Sequence, residues 1–405
     1  MGCRSCGNKD LESILDLGKQ AWCNDFIDKS QIGQEPLYPL HMVYCDQCSL
    51  TQLDYTVDKE VMFVDHSYVS GTTKTLRDHF LAVAKENKEQ FGLQEEDMII
   101  DIGGNDGTQL LQYMEIGCGN VLNIESATNI AKLSKDAGVF TVPKFFNEEC
   151  VGLLGIEDSV KLINASGVFF HLEELHSVIK GIKRCLKEEG VFIVQFMYLG
   201  DMIKKLSFDG IYHEHLCYYS IESLSNLLEP YGLEIFDGYH SEIHGGSIIA
   251  KIGHSDTESP RETTDRFKKL IVEDREIVNY ESLKSFAEKV RTFKEVFGRT
   301  IDSIVESGKK IYGFGAPAKG NTLLTYCGLD NSTVECIFEV NPMKFNKYTP
   351  YTHIPIVKED HSIVEDNSYA LLLSWNFSEE IISKCGDLVD RGVEFINPFL
   401  SERQQ

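Results

Sequence analysis

Residues 98–108 read MIIDIGGNDGT, and this stretch decides the fold. An apolar run contains Asp101, a glycine-rich turn follows, and residues 109–113 continue with the pattern of a helix. Gly103 and Gly107 permit positive φ angles and a close approach of the backbone to a ligand. The N–H groups of such a turn also point towards whatever binds at the helix N-terminus. The stretch therefore predicts a strand–turn–helix unit with a binding role.

The glycine spacing separates two kinds of cofactor site. A dinucleotide fingerprint reads G-x-G-x-x-G, whereas here three residues, including Asn105, separate Gly103 from Gly107. A second apolar strand, residues 121–124, leads into Glu125, where an acid can bind both ribose hydroxyls. This pattern resembles the first motif of class I methyltransferases that use S-adenosylmethionine. The alternative is an ordinary α/β turn whose glycines serve only packing.

Composition limits the partners of the protein. The chain has 405 residues and a formal net charge of −24, which argues against nucleic acid, because binding its phosphates requires a basic surface. No run approaches the roughly 18 apolar residues that span a membrane. The N-terminus lacks the apolar region of a signal peptide. We therefore expect a cytoplasmic protein of two or three domains, as a monomer or small homo-oligomer, without a nucleic-acid or membrane partner.

Two Cys-x-x-Cys pairs lie near the N-terminus, Cys3 with Cys6 and Cys45 with Cys48. Four thiolates complete a tetrahedral zinc site and leave no position for water, so such a zinc is structural. A redox dithiol would need only one pair, and four unrelated buried cysteines are the remaining alternative. The pairs predict a zinc-binding module.

Strand-like and helix-like patterns alternate between residues 98 and 196, which predicts a parallel sheet covered by helices on both faces. Two closing strands, 233–237 and 247–252, have no helix between them. This terminal hairpin is the methyltransferase topology, whereas a dinucleotide-binding domain would continue with βαβ units. Because ligands of open α/β sheets bind outside the carboxyl ends of the strands, one crevice is expected there. The predicted cofactor-binding residues are Asp101, Gly103, Asn105, Gly107, Glu125, Asn164 and His171.

A second strand–glycine turn–helix pattern begins at residue 310, after a charged and mostly helical connection. Gly313-x-Gly315 invites a nicotinamide interpretation, but the third glycine of that fingerprint is missing. Turn N–H groups together with Lys319 suit a phosphate, and a structural turn with a solvated lysine is the alternative. The predicted units are a zinc-binding module (1–75), a methyltransferase domain (76–255), connecting helices (256–308) and a Rossmann-like C-terminal domain (309–405).

The segment after the last parallel strand carries a dense set of polar groups: Tyr212, His213, Glu214 and His215 are consecutive. Metal binding is one interpretation, but His-Glu-His differs from the zincin motif. Carbon methylation is another, because it requires a base to remove a proton next to a carbonyl and a donor to stabilise the enolate oxygen. Histidine suits the first role and tyrosine the second. This density beside a crevice favours chemistry over a structural role.

Taken together, the motifs resemble the nucleotide-sugar C-methyltransferases. Enzymes of this bacterial family methylate a ring carbon next to the ketone of a TDP-linked keto-deoxysugar. The resemblance spans almost the whole chain in the same order. The motifs are both cysteine pairs, the turn at 101–107, YHEH at 212–215, HGGS at 244–247, residues 313–321, THIPI at 352–356 and SWNF at 374–377.

The resemblance implies roles for single residues. His215 would be the base and Tyr212 would stabilise the enolate, with Glu214 and Tyr68 also at the sugar. It implies S-adenosylmethionine as cofactor, a structural zinc, and a nucleotide-sugar substrate held by His244, Gly245, Lys319 and Asn321. The chain departs from the family pattern at Ile248-Ile249, where an arginine is common nearby, and at Tyr351, which replaces the usual glycine.

Two rival functions fit fewer motifs. An NAD(P)-dependent sugar-nucleotide oxidoreductase would use the C-terminal glycine turn, but the terminal hairpin and the spacing of Gly103 and Gly107 weigh against it. A non-catalytic scaffold would have no use for the polar cluster at 212–215. The sequence therefore predicts C-methylation through proton abstraction, enolate formation and methyl transfer.

Overall fold

Three β-sheets organise the computed structural model, which describes residues 2–63, 69–257 and 261–399. Strands within these ranges are β1 (Glu12–Ala21), β2 (Leu37–Tyr44), β3 (Thr51–Leu53), β4 (Met98–Ile102), β5 (Val121–Ile124), β6 (Thr141–Val142), β7 (Val160–Ser166), β8 (Leu186–Met197), β9 (Cys217–Tyr218), β10 (Leu233–Ser241), β11 (Ser247–His254), β12 (Ile311–Phe314), β13 (Ile337–Glu339), β14 (Ile356–Lys358), β15 (Tyr369–Leu372) and β16 (Glu394–Ile396). The helices are α1 (Lys59–Phe63), α2 (Lys74–Phe91), α3 (Thr108–Glu115), α4 (Thr128–Asp136), α5 (Glu148–Leu154), α6 (Leu175–Cys185), α7 (Leu199–Lys205), α8 (Ile221–Leu228), α9 (Asp265–Ile277), α10 (Tyr280–Glu306), α11 (Ala318–Cys327), α12 (Ser378–Lys384) and α13 (Gly386–Asp390).

The central sheet has the strand order β10-β11-β8-β7-β4-β5-β6. Strands β6, β5, β4, β7 and β8 pair in parallel, whereas β11 runs antiparallel to both β8 and β10. The predicted hairpin therefore closes a parallel sheet, and the predicted class I methyltransferase fold is confirmed. The parallel strands are almost entirely buried because helices cover both faces, as their continuous apolar runs require.

The N-terminal sheet is antiparallel and has the order β1-β2-β3-β9. Its last strand comes from the middle of the chain, because Thr51 and Gln52 of β3 pair with Tyr218 and Cys217 of β9. The N-terminal module and the segment after residue 212 are therefore joined through backbone hydrogen bonds. The predicted domain boundaries stay predictions.

The C-terminal sheet has the order β14-β13-β12-β15-β16, and its strands all pair in parallel. Its edge strand β14 has only three residues and was not predicted. The connection predicted to be helical contains α9 and α10, which begin after side-chain caps at Thr264 and Asn279. Within the described ranges, the structure has no helix that is both long and apolar enough to cross a membrane.

Tyr351, which stands where the resembled family has glycine, adopts φ 65°. This left-handed conformation is one that glycine adopts without strain and other residues rarely do. The departure therefore changes the side chain while the backbone keeps the conformation that glycine favours.

Candidate active site

The glycine turn between β4 and α3 is tightly packed. Gly103 has φ 62°, and a Cβ atom there would lie 2.7 Å from the side chain of Val168. Gly107 has φ 80°, and a Cβ atom there would lie 2.6 Å from Oγ of Ser134. Both positions therefore require glycine for conformation and for space.

Glu125 follows β5 and lies against this turn. Its Oε2 accepts a hydrogen bond from the N–H of Asn105 at 2.9 Å, and its Oε1 accepts one from the N–H of Ala127 at 2.8 Å. These bonds hold the carboxylate beside the glycine turn, as the sequence predicts. An acid in this position is suited to the hydroxyls of a ribose.

Asp101 and Asn164 are register partners on β4 and β7, and both are buried. Burial, together with the carboxylates of Glu125 and Asp106, raises the pKa of Asp101 well above its usual value. Within the described structure, Oδ1 of Asp101 and Nδ2 of Asn164 have no hydrogen-bond partner. Since buried polar atoms are normally paired, these two atoms fit a polar ligand such as S-adenosylmethionine at this end of the sheet.

The short 3₁₀ turn Ser70–Thr72, which precedes α2, lies against the same glycine turn. The N–H of Ser70 donates to Oδ1 of Asn105, and the N–H of Gly71 donates to a carboxylate oxygen of Asp106, both at 2.9 Å. The segment before α2 is therefore attached to the turn. Tyr68, predicted to face the substrate, lies outside the described residues.

His215 is buried and held in one orientation. Its Nδ1 donates to the carbonyl oxygen of Gly210 at 2.8 Å, so the lone pair of the neutral ring is on Nε2. The ring centroid lies 3.8 Å from that of Tyr212 and 4.6 Å from that of Phe170. Packing and this hydrogen bond therefore determine both the tautomer and the ring position.

His171, predicted to bind the cofactor, contacts the polar segment. Its Nδ1 donates to the backbone carbonyl of Glu214 at 2.6 Å, and its ring centroid lies 5.1 Å from that of His215. The structure therefore brings His171 together with residues 212–215, where it supports the backbone.

Glu214 extends its carboxylate towards the N-terminal module. Its Oε1 accepts hydrogen bonds from Nε1 of Trp22 at 2.7 Å and from Nδ2 of Asn24 at 2.6 Å. His213 is also buried against that module, with its ring 5.7 Å from the ring of Tyr38, and burial lowers its pKa. Glu214 and His213 therefore anchor the segment that carries Tyr212 and His215 to the N-terminal module.

A second cluster joins the central and C-terminal domains. The Nζ of Lys319 lies 4.1 Å from the ring centroid of Trp375, and Nε1 of Trp375 donates to Oδ2 of Asp209 at 2.6 Å. A Cβ atom on Gly245 would lie 3.3 Å from the same indole. Two predicted substrate-binding residues, Gly245 and Lys319, thus meet at Trp375. Burial lowers the pKa of Lys319, while the carboxylate of Asp209 opposes this shift.

The other two predicted substrate-binding residues, Asn321 and His244, lie in different parts of the fold. Asn321 is buried, and its Nδ2 donates to the carbonyl of Cys23 at 2.6 Å, so its amide nitrogen links the C-terminal domain to the N-terminal module. His244 lies in the 3₁₀ turn Ile243–Gly245, just before β11. Substrate binding by these residues stays a prediction.

The two cysteine pairs form one cluster. Cys3 and Cys48 have their Sγ atoms 3.4 Å apart, those of Cys6 and Cys45 are 3.5 Å apart, and all four lie within 4.8 Å of one another. One pair sits in the turn before β1 and the other in the turn between β2 and β3. Four convergent thiols fit a closed tetrahedral zinc ion.

Comparison with known proteins agrees with this arrangement. Three family models match in succession: a zinc binding domain at residues 3–63, a methyltransferase domain at 75–237 and a C-methyltransferase C-terminal domain at 242–399. The C-methyltransferase NovU of Streptomyces niveus is 28% identical over 405 residues, covering 99% of this chain and 96% of that protein. The protein is an S-adenosylmethionine-dependent C-methyltransferase.

Solved structures resemble part of this C-methyltransferase. A complex of the Haloferax volcanii Trm112 activator with a methyltransferase matches with a TM-score of 0.37 and 13% identity, over 45% of this chain and 93% of that one. A geranyl diphosphate methyltransferase in complex with S-adenosylmethionine matches with a TM-score of 0.35 and 11% identity, over 48% and 98%. The sheet order and the family model at residues 75–237 establish the fold of this C-methyltransferase.

The family models and the NovU match confirm the predicted enzyme class over the oxidoreductase alternative. Together with the cysteine cluster, the family models also confirm both S-adenosylmethionine and zinc as the groups this C-methyltransferase uses. The roles of single residues stay predictions. Three residues of these clusters were not predicted from the sequence: Trp22, Asn24 and Asp209. Of these, only Asp209 had a local signal, because it precedes the polar segment by three positions.

Proposed function

We propose that the protein methylates a ring carbon of a nucleotide-linked keto-deoxysugar, at the position next to the ketone. The motif resemblance, which runs along almost the whole chain, supports this substrate class. The arrangement of His215 and Tyr212 supports the reaction, because the imidazole and the phenol lie side by side, with ring centroids 3.8 Å apart and ring planes tilted by 37°.

His215 is proposed as the general base. Donation from Nδ1 to the carbonyl of Gly210 leaves the basic lone pair on Nε2. Nε2 would then accept the proton from the carbon next to the ketone. A base held in one tautomer by a backbone carbonyl needs no reorganisation before proton transfer.

Tyr212 is proposed to stabilise the enolate oxygen. Burial and the carboxylate of Glu214 raise the pKa of Tyr212 well above its usual value, so the phenol remains a donor at neutral pH. Preorganised donors aimed at a developing oxyanion typically contribute about 100- to 1000-fold to turnover. Glu214 is then a positioning residue, because its Oε1 is bound by Trp22 and Asn24.

The cofactor is proposed to lie at the carboxyl ends of β4, β5 and β7. When bound, S-adenosylmethionine supplies an electrophilic methyl group to the carbanion. The turn at Gly103, Asn105 and Gly107 would approach it closely, Glu125 would accept from its ribose hydroxyls, and Asp101 and Asn164 would meet its polar groups. The orphaned polar atoms of Asp101 and Asn164 support this placement.

The nucleotide is proposed to lie between the central and C-terminal domains. Lys319 would pair with a phosphate, and Trp375 with Gly245 would form an adjoining wall. A TDP-linked sugar is the form that the motif resemblance implies.

A panel of keto-deoxysugar nucleotides with S-adenosylmethionine tests this function. We expect production of S-adenosylhomocysteine with at least one keto sugar, and none with the corresponding reduced sugar, whose carbon has no acidic proton. In deuterated buffer without S-adenosylmethionine, the keto substrate should exchange the proton next to its ketone. Turnover that does not depend on the ketone contradicts the proposal.

A further inference from the structure

A group of metal-ligand side chains in the C-terminal domain lies outside the active site and the cysteine cluster. Glu359 and His361 follow β14, and Cys385 stands between α12 and α13. One ligand atom from each of these three residues lies within 4.8 Å of the others. We propose that Glu359, His361 and Cys385 bind a second divalent metal ion of the class to which zinc belongs.

Two separations between the ligand atoms lie within about 0.5 Å of those expected around one shared ion. Oε1 of Glu359 lies 2.9 Å from Nε2 of His361, and Sγ of Cys385 lies 3.8 Å from the same nitrogen. Around tetrahedral zinc, with bonds of about 2.0–2.1 Å to N and O and about 2.3 Å to S, such ligand atoms are about 3.3–3.6 Å apart. The thiols of the cysteine cluster, at 3.4 and 3.5 Å, depart similarly from their ideal separation of about 3.8 Å.

Asp387 orients the histidine of this site. Both of its carboxylate oxygens lie 2.9 Å from Nδ1 of His361. Nε2, the nitrogen that faces Glu359 and Cys385, lies at hydrogen-bond distance from the Glu359 carboxylate, so an ion would bind by displacing the proton between them. A carboxylate behind a ligating imidazole is the usual support of metal-bound histidine.

Charge and access also suit a cation. Glu359 and Asp387 together carry two negative charges when His361 is neutral. The nearby cations are directed elsewhere, since Lys384 pairs with Glu380 and Arg391 donates to the carbonyl of His361 and to Asp366. The side chains of Glu359 and His361 are 34% and 21% exposed, so an ion can reach the buried thiol of Cys385 from the surface.

The donor set defines the class of ion. One carboxylate, one imidazole and one thiolate match zinc or cobalt, whereas magnesium and calcium prefer oxygen ligands alone. Three protein ligands leave a fourth position for water or for a group of a bound ligand.

Zinc titration of the full-length protein tests the proposal, starting from protein whose cysteine cluster is already loaded. Wild type should bind one further equivalent by calorimetry, and His361→Ala should lose that equivalent. Asp387→Asn should weaken binding by about 10- to 100-fold, the usual effect of removing a supporting carboxylate. Glu359→Gln is the near-isosteric variant that keeps the test valid if His361→Ala folds poorly, and it should weaken the same binding.

Cobalt distinguishes the thiol ligand. Added to the zinc-loaded protein, Co²⁺ should produce thiolate-to-cobalt absorption in wild type but not in Cys385→Ser. Cys336→Ser is the matched control, because Cys336 is a buried thiol in the same apolar cluster outside the proposed site, and its variant should retain the absorption. The proposal is overturned if wild type binds no metal beyond the cysteine cluster. Glu359, His361 and Asp387 would then form only a network of ion pairs. Binding unchanged in Glu359→Gln, His361→Ala and Cys385→Ser also overturns it.

Discussion

The indole N–H of Trp22 donates to Oε1 of Glu214 across 2.7 Å, although 192 positions separate the two residues in the chain. Asn24 donates to the same oxygen at 2.6 Å. The zinc-binding module therefore contributes directly to the orientation of the proposed catalytic segment. This contact gives the module a role beyond its own stability.

Trp22→Phe removes the N–H donor and keeps an aromatic ring. Hydrogen bonds to charged groups contribute about 1.5–3 kcal/mol, so kcat should fall about 10- to 100-fold while zinc content and S-adenosylhomocysteine affinity stay unchanged. Trp375→Phe is the matched variant, since the other tryptophan of the chain donates to Asp209. It should mainly raise the KM for the sugar nucleotide. Steady-state kinetics measure both effects, and wild-type kcat in Trp22→Phe contradicts the positioning role.

Glu125→Ala should weaken S-adenosylhomocysteine by about 1–3 kcal/mol, because the charge-assisted hydrogen bonds to ribose are lost. Glu339 is a matched control within the same chain. It follows the same pattern at the end of β13, where its Oε2 accepts from the N–H of Ala316 at 2.9 Å. Calorimetry should show unchanged cofactor affinity for Glu339→Ala. Equal losses of S-adenosylhomocysteine affinity in Glu125→Ala and Glu339→Ala would show that Glu125 does not bind the cofactor.

Cys45→Ser should reduce zinc content and destabilise the protein, because metal-binding free energy at such a site is folding free energy. Cys118→Ser is the control, since Cys118 is a buried thiol outside the cysteine cluster. Elemental analysis and thermal unfolding measure the two effects. Normal folding of Cys45→Ser without zinc contradicts a structural metal.

His215→Ala should lower turnover by about 10²- to 10⁴-fold, the usual range for a general base. Affinity for S-adenosylhomocysteine should barely change, and proton exchange at the sugar carbon in deuterated buffer should be lost. His213→Ala should retain the exchange, because His213 packs against Tyr38 of the N-terminal module. Turnover within a few-fold of wild type in His215→Ala would move the base to Glu214 or His213.

Asp237 should make stability depend on pH. Burial raises its pKa, but hydrogen bonds from Arg266 and Thr264 and the charge of Lys251 outweigh burial and leave the pKa lowered. A lowered pKa in the folded state stabilises the protein above the unfolded value of about 3.9, and this stabilisation is lost as pH falls below it. Asp237→Asn should therefore destabilise at pH 7 by about 3 kcal/mol. Urea unfolding measures the difference in the free energy of unfolding between wild type and Asp237→Asn, and this difference should shrink near pH 3. A difference that stays constant with pH contradicts a stabilising role for the Asp237 carboxylate.

The sequence by itself determined the features that depend on neighbours along the chain. Strand β5 was predicted to the residue, because an apolar run that ends at an acid is a local signal. The turn at Gly103 and Gly107 was predicted from the φ angles and close contacts that only glycine tolerates. The two Cys-x-x-Cys pairs were enough to predict their convergence, since zinc-ligand spacing is itself a sequence pattern.

Only the tertiary structure decided which distant side chains share hydrogen bonds. Strand β9 joins the N-terminal sheet, and Trp22 donates to Glu214. The side-chain amide of Asn321, predicted to bind substrate, donates to the carbonyl of Cys23. The cluster of Glu359, His361 and Cys385 likewise assembles from a strand end and a helix junction. Such contacts have no period and no fixed spacing, because the packing of whole sheets and helices brings their partners together.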